Sequence, residues 1–123
     1  MSSQASSIVS YEPRFREDFK SLNQAWLEKF FVVEPFDEEV LSNPEKYLLD
    51  KGGRIYFALV DDKAVGVVGL MPGQGFIEIT KMAVDPKYQG LGLGKALFEK
   101  AIEGCIGKKT YNLIGYTEKK LII

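Results

Sequence analysis

The sequence predicts an α/β fold of the α+β kind: a mixed, mostly antiparallel central sheet flanked by helices. Three observations predict it. Strand-like runs at 54–60, 64–71 and 76–84 follow one another across short turns, as in an antiparallel meander. Two longer stretches, 14–30 and 93 onward, carry apolar residues at helical spacing. Between the last of those strands and the second helix lies a loop with Gly90, Gly92 and Gly94.

In chain order, residues 1–7 are small and polar and read as a disordered tail, leaving 8–123 as a single domain. Ile8 to Tyr11 is a short strand, ended by Pro13. Phe15, Phe19, Leu22, Trp26 and Phe30 then recur on one face, so 14–30 is an amphipathic helix. Asp37 is an N-cap candidate for a short helix to Leu41, with Glu38 and Glu39 in its first turn. Asn43-Pro44-Glu45 repeats that grammar and opens a helical turn to about Asp50, broken by Gly52-Gly53. Arg54 to Val60 and Ala64 to Met71 form a hairpin across Asp61-Asp62-Lys63. The second of these strands is nearly all apolar and therefore central. Pro72-Gly73-Gln74-Gly75 turns the chain into the strand holding Ile77, Ile79, Met82 and Val84, which Asp85-Pro86 stops. From Leu93 the helix face is Leu93, Leu97 and Ala101, with Phe98, Ile102 and Cys105 beside it; Gly104 and Gly107 end it near 103–109. Tyr111 to Thr117 reads as a fifth strand.

Composition bounds the function. A chain of 123 residues is one domain, and 46% hydrophobic residues suffice for a core. The formal net charge of −1, without a basic cluster, gives no nucleic-acid footprint. No apolar run approaches the roughly 20 residues of a membrane span, and MSSQASS lacks a signal-peptide core. With one cysteine and no histidine there is no internal disulfide, no Cys/His zinc site and no histidine base. Cys105 reads as a packing residue and the expected compartment is the reducing cytoplasm.

The glycine loop has a physical use. The first N–H groups of a helix lack intrahelical acceptors, and the helix dipole adds positive potential there. Glycines let an anion approach the backbone closely, so phosphate or pyrophosphate is the expected ligand, with Lys95 as a nearby cation. A Walker loop is excluded, because Gln89 and Ala96 stand where it needs glycine and a hydroxyl. In a dinucleotide fingerprint the third glycine would come one residue later, and the strand would open the chain rather than follow its middle.

The full run, Met82-Ala83-Val84-Asp85-Pro86 followed by Gln89-Gly90-Leu91-Gly92-Leu93-Gly94, resembles the Q/R-x-x-G-x-G/A motif of the GNAT superfamily of N-acetyltransferases. The resemblance covers about residues 8–121 and is most specific over 76–102. It implies a GNAT-like sheet and transfer of the acetyl group of acetyl-CoA, as co-substrate and without a metal, to a primary amine on a small molecule or peptide. It implies that Gln89, Gly90, Leu91, Gly92, Leu93, Gly94 and Lys95 hold the pyrophosphate. Backbone groups of Met82, Ala83 and Val84 would pair with the pantetheine arm, and one of their N–H groups would hold the oxyanion. Glu78 matches the side of the cleft where the family often places a carboxylate base. It reads equally as a strand glutamate paired with Lys81 or Arg54. Asn23, Trp26, Glu34 and Asp37 are candidates to line the amine site, against Trp26 as core and Asp37 as cap. Glu118 stands near the family's asparagine. The family's last helix, closing strands and thiolate-protonating tyrosine have no counterpart here. A homodimer covering that C-terminal side is therefore an expectation, as are two other functions: a non-catalytic CoA-binding or sensor domain, and an interaction module.

Overall fold

The computed structural model describes residues 6–30, 35–72 and 77–105. The expected fifth strand, Glu34, Glu118 and the turn after Pro72 lie outside the described residues, and so does the Cys105 side chain. Four strands, β1 (Ser6–Ser10), β2 (Arg54–Val60), β3 (Lys63–Pro72) and β4 (Ile77–Val84), form one antiparallel sheet in the order β1-β2-β3-β4. The helices are α1 (Arg16–Phe30), α2 (Pro35–Ser42), α3 (Pro44–Tyr47) and α4 (Leu93–Cys105). Among the described residues, no helix is long and apolar enough to cross a membrane.

The sheet is apolar on both faces, as the unbroken hydrophobic runs of β2 and β3 require. One face packs Phe57, Val67 and Ala83 against Phe15, Phe19 and Leu27, with Val40, Leu41 and Leu48 closing the cluster. The other packs Tyr56, Ala58, Val68 and Ile79 against Leu93, Leu97 and Ala101 of α4. The β2–β3 turn is made by Asp61 and Asp62, both at positive φ (52° and 68°), which matches the twist of a two-residue hairpin. A Cβ on Gly53 would lie 2.1 Å from the Leu70 carbonyl oxygen, so the glycine break before β2 is a steric necessity.

Three local features depart from the sequence-based expectation. β1 begins at Ser6, because Ser6 and Ser7 pair with Val60 and Leu59 and so belong to the sheet rather than the tail. Asp37 lies inside α2, which starts at Pro35, so it is not the cap. Asn43 precedes α3 but makes no side-chain cap; its amide donates back to the Glu39 carbonyl (2.9 Å) and closes the end of α2. Glu45 instead ties α3 to the start of α1: it accepts from Arg16 (2.8 Å) and from the Tyr11 hydroxyl. Burial pushes the Glu45 carboxyl up, but these two bonds outweigh it and hold it below the usual glutamate range.

One irregularity positions the site. Val67 pairs with Ala83 and Gly69 with Thr80, so two residues of β4, Lys81 and Met82, stand opposite Val68 alone. Lys81 takes the bulge conformation at φ 53°. The extra residue inverts the alternation of β4. Ile77 and Ile79 face α4, and after the bulge Met82 and Val84 face α4 too, while Ala83 joins the α1 cluster.

Candidate active site

β4 ends at Val84, and the chain turns through Asp85 and a 3-10 turn at Pro86–Tyr88 into α4. The Asp85 carboxylate accepts from the Lys87 N–H (2.9 Å) and shapes that turn. The loop then passes Gly90 at φ 85° and Gly92 at φ 81°. An L-residue with a side chain adopts that region at a cost of roughly 1–2 kcal/mol. A Cβ at either position would meet nothing within 4 Å, so the glycines border open space rather than packed protein. Gly92 accepts from the Ala96 N–H (3.0 Å) and begins the helical bonding. The N–H groups of Gly90, Leu91, Gly92, Leu93, Gly94 and Lys95 have no acceptor among the described residues. Leu91, 59% exposed, stands between the two glycines.

These amides border a cleft of about 330 Å³, lined by Trp26 of α1, Met82, Ala83 and Val84 of β4, Tyr88, and the loop from Gln89 to Lys95 except Leu91. A smaller cavity of about 260 Å³ continues along α1 and shares Trp26, Val84 and Gln89 with it. The Asp85 N–H donates to the Val65 carbonyl (2.8 Å), so Asp85 and Ala83 turn their backbone groups toward β3. Alternation then turns the groups of Val84 and Met82 to the other edge of β4, which carries no partner strand among the described residues. Ala83 borders the cleft but therefore offers it no free backbone edge.

The candidate acceptor residues separate. Trp26 is half-buried and lines both cavities. Asn23 does not line the cleft; it is 2% exposed and its amide donates to the Phe19 carbonyl (3.0 Å) inside the helix. Asp37 faces Lys81, Oδ1 to Nζ at 3.9 Å. Glu78 sits on β4 opposite Met71, half-buried and outside the lining of the cleft. Burial pushes its carboxyl above the usual glutamate range, and the Lys81 charge only partly offsets that. The chemistry missed by the sequence reading is the Lys81 bulge; the apolar spacing 77, 79, 82, 84 holds its signal, a step of three inside an alternation of two.

The raised Glu78 carboxyl has a sign that stability measurements can read. The unfolded chain releases this proton near pH 4.3, while the folded chain keeps it to higher pH. Folding stability thus falls as pH rises through that window and stays lower above it. Glu78→Gln is expected to raise Tm at pH 8, with the gain shrinking to nothing below about pH 4. A gain that grows on acidification would contradict the burial of this group.

Residues 16–119 match the sequence model of the Acetyltransferase (GNAT) family. The chain belongs to the GNAT acetyltransferase family. Among solved structures it resembles a GNAT-family acetyltransferase from Staphylococcus aureus Mu50 at 27% identity and TM-score 0.73, over 82% of this chain and 66% of that one. An acetyltransferase from Streptococcus agalactiae gives 23% identity and TM-score 0.73, over 85% of this chain and 68% of that one. A predicted acetyltransferase from Clostridium acetobutylicum, solved with acetyl-CoA, shares the fold at 11% identity and TM-score 0.71, over 97% of this chain and 91% of that one. This GNAT chain thus spans about two-thirds of the length of the first two. No curated protein sequence is similar enough to it to count as a match.

Proposed function

We propose that this GNAT chain transfers the acetyl group of acetyl-CoA to a primary amine. The carrying observation is the loop: two open positive-φ glycines and a row of amides without acceptors among the described residues, at the mouth of a 330 Å³ cleft. An anion as highly charged as a pyrophosphate suits that row, because each N–H and the α4 dipole lower its energy without requiring a side chain to move. Lys95 at the third helical position adds a cation. The residues fit the group, and the acetyl thioester supplies the activated carbonyl when bound.

The rest of the chemistry falls to this chain's own groups. The outward edge of β4 at Met82 and Val84 can align the extended pantetheine arm as an added strand would. The Met82 N–H, within the bulge, can hold the charge that develops on the carbonyl oxygen. Glu78 can take the amine proton, directly or through a water, and its burial favours a base with a raised affinity for protons. Trp26 borders the amine side. Protein N-termini and small amines both fall within this reading.

Thiol release from acetyl-CoA, followed across classes of amine, is the test. The reading predicts release that depends on one amine class and falls at least about 100-fold in Glu78→Gln, in the range for loss of a general base. Stabilisation by acetyl-CoA with no release for any amine would point to a CoA-binding module and overturn the enzymatic reading.

A further inference from the structure

A lysine occupies the left-handed bulge of β4, where glycine would sit without strain. The Lys81 side chain is 13% exposed, and its ammonium lies 3.9 Å from Asp37 of α2. The pair joins a helix of the α1 face to the point where β4 inverts its alternation. Glu78 lies three residues away on the same strand. Around it, β3 places Met71 directly opposite, and α1 turns the neutral Leu22, Trp26 and Leu27 to that face. Of the described charged groups on β4 and on α2, which carries Asp37, Glu38 and Glu39, only Lys81 acts appreciably on Glu78. Among the described residues, the Lys81 ammonium thus lies beside the Asp37 carboxylate and also acts on Glu78, so the charge at Asp37 bears on how strongly it does so.

We propose that Asp37 and Lys81 are positioning residues: their pair clamps α2 to the β4 bulge and holds the Lys81 ammonium away from the Glu78 carboxylate. This rests on the reading of Glu78 as the base. The clamp fixes the Met82 N–H within the bulge, and the restrained ammonium leaves Glu78 basic enough to take a proton.

Carbon-13 NMR titration of the Glu78 carboxylate, assigned by its loss in Glu78→Gln, reads the pairing without any reaction. In Asp37→Asn, with one carboxylate beside the Lys81 ammonium neutralised, the Glu78 midpoint is expected to move down by about half a unit or more; in Lys81→Met it is expected to move up by a similar amount. The acidic limb of the acetyl-transfer pH–rate profile should follow in the same two directions. Exchanging the charges, Asp37→Lys with Lys81→Asp, should restore the clamp but not the wild-type limb. Midpoints unchanged in both single variants would overturn the proposal. Midpoints that move while the pH–rate limb stays fixed would uphold the pairing and overturn Glu78 as the base.

Discussion

Gly92→Glu is expected to weaken acetyl-CoA binding by about 100-fold while leaving the chain folded. Strain bears on the fold, and charge on binding. A glutamate at φ 81° carries a backbone cost of roughly 1–2 kcal/mol, present with or without ligand. Charge repulsion is the stronger of the two and arises only on binding. The new carboxylate would occupy the open space beside the unpartnered amides, where the pyrophosphate belongs. Two like charges about 4 Å apart near a protein surface repel by up to about 4 kcal/mol, and solvent at this exposed loop reduces that to about 2–3. Since nothing lies within 4 Å of the added Cβ, the fold survives the change. Gly92→Ala separates strain from charge: it keeps the backbone cost alone and should lose less than about tenfold. Thermal shift with and without acetyl-CoA checks both, and an equal loss in the two variants would mean that charge plays no part.

Leu97→Ala should be the most destabilising truncation on the α4 face, by about 3 kcal/mol and a Tm lower by roughly 10 °C. Leu97 is fully buried, and its Cδ1 lies 2.9 Å from where a Cβ of Gly66 would stand. The hole left by truncation therefore borders a residue without a side chain. Gly66→Ala alone should cost about 1–3 kcal/mol by overfilling. Added to Leu97→Ala, it should recover part of the loss, because its methyl enters the vacated space. Strict additivity in denaturant unfolding would show that the two positions do not meet.

The elements built on strong periodicity were legible in the sequence. The apolar runs of β2 and β3, the helical spacing of α1 and the strand–loop–helix run through Gly90 and Gly92 all lie where their patterns place them. Side-chain assignments that depend on direction were less legible. Asn23 carries a polar amide suited to a pocket wall, yet the helix turns it inward, where the Phe19 carbonyl satisfies it. Asn43 and Asp37 both have capping chemistry, but one bonds backward and the other reaches across to β4. Local preference leaves such choices open until tertiary packing fixes which partner is nearest. Lys81 was the least legible: nothing in a lysine signals positive φ, and only the broken alternation of its apolar neighbours marks the bulge.

The amides themselves give the most direct measurement. Titrating nitrogen-15-labelled protein with acetyl-CoA reads each N–H separately. If the loop cradles the pyrophosphate, the signals of Gly90, Gly92, Leu93, Gly94 and Lys95 move most and together, with Met82 and Val84 following and the β1 amides unmoved. Saturable binding that leaves those loop signals in place, or no binding at all, would contradict it.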